Sequence, residues 1–288
     1  MSHTTFPRFV SRTVGRVTDG AVLQVGTLNL ASGRGPTGAV LTAERIAASV
    51  ASLDVDVLAV QEVDAGQPRS GSTDQAAVVA AALGSTGWRF VATVAGTPGP
   101  VRSWSPEDPP VARGPGAELP GPRYGIALVS RRPVLEWSVL PLGGGRARLP
   151  VKAPDPRSGR LRWWWVPDEP RVAVAARLEG LTVVGTHLSF SPPTALRQLR
   201  ALRRWISALP GPVVLAGDLN LPGALPARVL GGVPLVRAAT FPGADPRLQL
   251  DHLVALGAEP AGPGRAIAVD VGDHRALVAP VRGGESSA

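Results

Sequence analysis

The stretch Val213–Pro222, VVLAGDLNLP, decides how this chain is read. Its first residues are apolar and have the composition of a buried strand. They run into a glycine, the carboxylate of Asp218, the carboxamide of Asn220 and Pro222. A strand from the interior that stops on charge is costly unless the charge has partners. Where several strands stop this way at one place, the sheet becomes a rigid frame for a site on its ends and loops.

Other apolar runs do stop this way. VGTLN ends at Asn29, VLAVQE at Glu62 and VVGTH at His187. LQLDH carries Asp251 and His252, and VDVGDH ends at Asp273 and His274. Apart from His3, every histidine falls in this set. Converging, these ends line a pocket with carboxylates, carboxamides and imidazoles. The carboxylates repel one another unless a cation is present. A hard divalent ion with oxygen ligands is the natural partner: Mg²⁺ first, with Mn²⁺ as a substitute. Zinc suits the set less, since no HxH or HxxxH spacing occurs. Each residue alone also has a structural reading. Asn29 and Asn220 suit turns, Glu62 suits a strand-end surface charge, and Asp218-Leu219-Asn220 suits an Asx turn before Pro222. The joint occurrence, each after an apolar run, favours a site. His252 alternates to the other face of its strand from Asp251 and reads as structural.

Bulk composition is that of a folded globular chain: 288 residues, 44% hydrophobic and 18% charged. The net charge is +8 and the pI is about 11.3. This fits an anionic partner. All but one of the 30 basic residues are arginine, Lys152 being the exception, so GC-rich coding accounts for part of it. The absence of cysteine excludes disulfides, thiolate metal sites and cysteine nucleophiles. The first 20 residues hold no apolar run of signal-peptide length, and no stretch reaches 18 apolar residues. A cytoplasmic monomer is the default expectation.

Strands are expected at Val22–Leu30, Val55–Val63, Trp88–Gly96, Tyr124–Ser130, Val134–Leu142, Leu250–Leu256 and Arg275–Val281. RVAVAARLEG and LTVVGTHLSF form a hairpin through Glu179-Gly180. Helices are expected over Thr42–Leu53, with Thr42 as N-cap, and over Asp74–Gly84. SPPTALRQLRALRRWISALP is the strongest helix, capped by Ser191 and opened by Pro192, with a leucine stripe facing away from most of its arginines. Thr97–Arg123 and Gly143–Arg171 read as long loops. The second holds seven basic and three acidic residues and the run Trp163, Trp164, Trp165. It suits a nucleic-acid contact, an anionic membrane surface, or tryptophans covering a sheet edge. The organisation predicted is a tail over 1–19, one domain over 20–283 and a tail over 284–288. The layers are two sheets face to face with helices outside.

The ordered segments TLN, QE, THLS, GDLN, LDH and GDHR resemble the signature segments of the endonuclease/exonuclease/phosphatase superfamily. The similarity spans about residues 20 to 283. It implies an α/β (α+β) fold: a four-layered α/β/β/α sandwich with two mixed, largely antiparallel sheets. It also implies Mg²⁺-dependent hydrolysis of a phosphate ester, with a nuclease ahead of a phospholipid or small-metabolite phosphoesterase. A non-catalytic binding module is the alternative, although Glu62, Asp218 and His274 are all present. By resemblance, Glu62 is the principal metal ligand, with Asn29 and Asp273 beside it. His187 contacts phosphate, and Asp218 and Asn220 orient the attacking water or a second metal. His274 is the catalytic histidine, oriented by Asp251. Tyr124 stands where relatives place an active-site aromatic, and Arg69 is a candidate phosphate contact. Leu28, Leu219, Gly272 and Ala276 depart from common family residues, but none replaces a reacting group. The working base, Asp218 or His274, stays open.

Overall fold

The computed structural model describes residues 21–99, 103–154, 158 and 160–284. The expected tail over 1–19, and all but Gly284 of the tail over 284–288, lie outside these residues. Local chemistry sets the first helices. The Thr42 hydroxyl accepts from Arg45 N, and the Asp74 carboxylate accepts from Ala77 N, so each caps the helix that follows it. In chain order the elements are β1 (Val22–Asn29), α1 (Ala43–Ala51), β2 (Val57–Ala65), α2 (Gln75–Ala82), β3 (Gly87–Thr97), β4 (Ser103–Arg113) and β5 (Arg123–Ser130). Next come β6 (Glu136–Gly143), β7 (Arg148–Pro154), β8 (Leu161–Pro167), β9 (Arg171–Leu178), β10 (Leu181–His187) and α3 (Pro192–Ile206). The last are β11 (Val213–Asp218), α4 (Leu225–Leu230), β12 (Val233–Pro234), β13 (Asp251–Leu256), β14 (Glu259–Pro260), β15 (Arg265–Ile267) and β16 (Ala276–Arg282).

One sheet has the order β14-β16-β1-β2-β5-β3-β4, with β15 also on β16; the other is β12-β13-β11-β10-β9-β6. Each contains one parallel pair, β1 with β2 and β10 with β11, and its remaining pairings are antiparallel. Parallel pairs need a crossover, which the chain segments bearing α1 and α3 supply. Strand alternation then builds three apolar interfaces. Val57, Ala59, Val183, Val214 and Leu253 pack between the sheets. Leu58 and Val60 turn outward to α1 and α2, and Val184, Leu215 and Val254 turn outward to α3 and α4. These interfaces define the expected four layers.

Several expectations need correction. Thr97–Arg123 is not one loop, because β4 occupies Ser103–Arg113 despite Pro106, Pro109 and Pro110. It lies at the edge of its sheet, where a strand tolerates missing amide donors. Gly143–Arg171 contains the β7–β8 hairpin, which forms a two-stranded sheet of its own. Trp163 and Trp165 do not cover a sheet edge, being 64% and 61% exposed. Ser191 occupies the N-cap position of α3, but its side chain makes no capping bond. VDVGDH is not a strand; Asp273 and His274 lie in the loop between β15 and β16.

Candidate active site

The alternation that fills the core also aims the polar residues. On β10 the inward positions run Leu181, Val183, Gly185, His187; on β11 they run Val214, Ala216, Asp218. On β1 they run Leu23, Val25, Thr27, Asn29. In a parallel pair both carboxyl ends reach the same rim, and His187 sits opposite Asp218. Strand β13 is antiparallel to β11, so its first residue arrives there too, and Asp251 pairs with Asp218. His252 alternates away. Its Nε2 lies 2.9 Å from the Leu221 carbonyl oxygen, away from the site.

Glu62 breaks this rule. Counting from Leu58 and Val60 it should face the outer helices. A β-bulge shifts the register with β5 between Val60 and Val63, and Glu62 adopts φ 52°. The side chain thereby turns to the rim, where Asn29 Nδ2 donates to Glu62 Oε1 at 3.2 Å and to Asp218 Oδ2 at 3.2 Å. Asn29 Oδ1 accepts from Ala31 N, which fixes the amide orientation.

The remaining groups close around Asp218. Asp251 Oδ2 lies 2.7 Å from His274 Nδ1, leaving Nε2 facing Asp218 Oδ2 at 3.9 Å. Asn220, at φ 50°, donates its backbone N–H to Asp218 Oδ1. Asparagine tolerates that left-handed turn. Its Nδ2 lies 3.2 Å from His187 Nε2, which in turn lies 3.5 Å from Asp218 Oδ2. Phe241 tilts against the His274 ring at 4.9 Å. Asp218, Asn220, His187, His274 and Phe241 border a cleft of about 440 Å³, shared with Glu62, Tyr124 and Arg69. Asp273 stands apart at the rim, its side chain 58% exposed, with Oδ1 3.9 Å from His274 Nε2.

Arg69 is already engaged. It pairs with Asp64 through two bonds of 3.0 and 2.7 Å, donates to the Pro98 carbonyl, and lies 5.4 Å from the Tyr124 ring centroid. Sequence reasoning missed the neighbouring Glu169 and Arg171, which line the same cleft and pair at 3.7 Å. The available signal was their position immediately before and at the start of an expected strand, where His187 and Asp218 occupy strand ends.

Electrostatics follow from burial. Burial, then Asp251, raises the Asp218 carboxyl to about 7. Burial also raises Glu62, against the Asn29 hydrogen bond. Burial pushes His187 well below the usual histidine range, with Arg171 and His274 adding to the effect. His274 goes the other way. Burial draws it down, but the hydrogen bond and charge of Asp251, with Asp218 and Asp273, carry it up to about 10. The rim thus holds an imidazolium, a neutral imidazole and carboxylates short of positive charge.

Among families of known proteins, residues 26–270 match the endonuclease/exonuclease/phosphatase family. The chain belongs to this family. The family's enzymes are phosphoesterases, and this chain is one of them. No curated protein matches it. Among solved structures, an endonuclease/exonuclease/phosphatase from Beutenbergia cavernae shares 21% identity at a TM-score of 0.59, over 92% of this chain and 72% of that one. Sphingomyelinase C from Streptomyces griseocarneus shares 18% at 0.54, over 90% and 99%. TDP2 from D. rerio, complexed with a single-strand DNA product, shares 15% at 0.52, over 91% and 99%. These likenesses show the αββα sandwich of the endonuclease/exonuclease/phosphatase fold.

A divalent ion, typical of the family, fits the donor set. Ligand atoms of Asp218, Asp251 and His274 lie within 4.8 Å of one another. Asp251 Oδ1 is buried without a partner. Oxygen-rich donors of this kind suit a hard cation. Glu62 would lead its ligand set with Asp218 beside it, and Asn29 would orient both carboxylates through Nδ2, while His274 stays bonded to Asp251. When bound, the ion would polarise a phosphoryl oxygen. The protein's own groups do the rest. Asp251 fixes the His274 ring so that Nε2–H points into the cleft as a donor. Asn220 and His187 are placed to orient phosphoryl oxygens or a water beside Asp218, and Asp218 can accept that water's proton.

Proposed function

We propose that this chain is a Mg²⁺-dependent phosphodiesterase, with Mn²⁺ able to substitute. The Asp251–His274–Asp218 arrangement carries the reading. It places a fixed proton donor and a buried carboxylate across one cleft, with Asn29 joining Glu62 to the same carboxylate. Asp218 is the water-activating group and His274 the donor to phosphate or leaving oxygen, because His274 is held protonated and Asp218 is poised near neutrality. Asn220, His187 and Asp251 complete the catalytic set, Glu62 leads the metal side with Asn29 orienting its carboxylate, and Asp273 adds negative charge at the rim. Tyr124 and Arg69 form one wall of the substrate cleft. Nucleic acid is the substrate class supported by the net charge of +8. A phospholipid is the second reading, favoured by the exposed Leu161, Trp163 and Trp165 beside the cleft.

The test is hydrolysis of bis-p-nitrophenyl phosphate with Mg²⁺ and with EDTA, in the wild type and in Glu62→Gln and His274→Ala. Turnover that needs the metal and drops by at least about a hundredfold in His274→Ala supports the reading. Metal-independent turnover, or full activity in both variants, refutes it. Parallel assays on plasmid DNA, RNA and sphingomyelin separate the substrate classes.

A further inference from the structure

The β7–β8 hairpin is unusual in this molecule. Among the described residues its strands pair only with each other. On β8, alternation puts Leu161, Trp163 and Trp165 on one face, and they are 62%, 64% and 61% exposed. Between Arg148 and Pro167 the sequence holds five basic residues and one acidic residue, Asp155. Arg148, Arg160 and Arg162 are exposed, and Arg162 lies over the Trp164 ring at 4.4 Å. The base of the hairpin is pinned. Ser189 Oγ donates to Asp168 Oδ2 at 2.7 Å, and Gln198 Nε2 donates to the Gly143 carbonyl at 2.7 Å. Val166 and Pro167, at the end of β8, line the catalytic cleft. An apolar, cationic ribbon is thus fixed at the mouth of the site.

We propose that this hairpin is a docking arm for an anionic phospholipid surface, which favours the phospholipid reading of the diester over the nucleic-acid one suggested by net charge alone. Trp163 and Trp165 have the amphipathic rings that favour a membrane–water interface, and Leu161 adds apolar surface beside them. The arginines around them match lipid phosphates. A single-stranded nucleic acid uses the features less well. It needs cations tracking its backbone in a groove and a stacking face for each base. Leu161 offers no such face. The docking stands independently of the catalytic reading; only the identity of the diester rests on it.

The experiment compares the full chain with Trp163→Ala/Trp165→Ala. It uses sedimentation with vesicles of phosphatidylglycerol and phosphatidylcholine, or of phosphatidylcholine alone, in EDTA. Bis-p-nitrophenyl phosphate turnover in Mg²⁺ is measured alongside. Wild type is expected to bind the anionic vesicles, less so at high salt. The variant should lose at least about tenfold in partitioning, since each removed ring takes apolar burial worth that factor or more. Its turnover of the soluble diester should be unchanged. Three results overturn the proposal: no vesicle binding, equal binding by the variant, or variant-sensitive binding of an oligonucleotide or a second copy in place of vesicles. Loss of diester turnover in both proteins with vesicle binding intact would refute the catalytic reading and leave the docking standing.

Discussion

Asp251→Asn isolates the electrostatic centre of the site. Asp251 is fully buried, and its Oδ2 lies 2.7 Å from His274 Nδ1. Burial draws His274 down, yet the Asp251 hydrogen bond and charge, with Asp218 and Asp273, lift it from 6.5 to about 10. Asparagine keeps the shape and one acceptor oxygen but removes the charge. The imidazole should then titrate near or below its ordinary value. The sign follows from linkage. A folded-state pKa raised above the unfolded one stabilises the fold fully below pH 6.5, and that contribution is lost as pH rises through about 10. The lift amounts to about 5 kcal/mol at one pKa unit per 1.36 kcal/mol. It agrees with the roughly 3–5 kcal/mol for breaking a buried ion pair. Urea unfolding in EDTA should show the wild type losing stability between pH 7 and 10. The variant should be weaker by about 3–5 kcal/mol at pH 6 and nearly flat from there to pH 10. Ring-proton NMR follows His274 directly in the same buffer. At pH 8 the protonated fraction should fall about thirtyfold in the variant, a loss that turnover should share. A variant whose His274 still titrates near 10, or a wild type equally stable at pH 7 and 10, would refute this account.

Glu62→Gln should weaken Mn²⁺ binding at least about tenfold by titration calorimetry. In the wild type, affinity should fall from pH 7 to 5, because burial raises the Glu62 carboxyl and protons compete with the ion; unchanged affinity in the variant would remove Glu62 from the ligand set. Gly272→Ala should cost about 1–3 kcal/mol in urea unfolding and slow turnover. Gly272 has φ 81° and a Cβ there would run into the Asn29 carbonyl oxygen, so a silent substitution would show that the loop is free of Asn29. Arg171→Leu should destabilise by about 3–5 kcal/mol, since it leaves Glu169 buried without its cation, and adding Glu169→Leu should recover much of that. Equal stability of the single and double variants would mean that the pair does not couple.

Much of this was legible because burial and chemistry share one periodicity. VVGTH and VVLAGD spell out their own faces: alternate residues fill the core, and the next inward position is His187 or Asp218. The strands were therefore readable from hydrophobic runs, and the site from where those runs stop. The parts that were not legible have physical reasons. Strand β4 contains SWSPEDPPVAR, whose prolines signal a turn unless the strand is known to be an edge. On β8 the alternate residues Leu161, Trp163 and Trp165 face solvent rather than a core, so the pattern carries no core-facing signal. Arg171 and Glu169 look like loop charges in sequence. Only the fold brings them to the cleft that Tyr124 and His187 also line, where burial makes their pairing matter. Asp273 followed the rule of the strand ends in sequence, yet it belongs to a loop and stays largely in solvent.

The bulge at Glu62 shows which energy decides the local backbone. With regular alternation the carboxylate would point, like Leu58 and Val60, into the layer beneath α1 and α2. A charge buried there without a partner would carry a penalty of several kcal/mol, or the group would have to stay protonated. Holding a glutamate at φ 52° costs about 1–3 kcal/mol. The strained backbone is therefore the smaller cost. It converts an outward position into one within hydrogen-bonding reach of Asn29, which also holds Asp218. A substitution that relaxed the bulge would return Glu62 to the helix layer. The strain and the metal side of the site therefore stand or fall together.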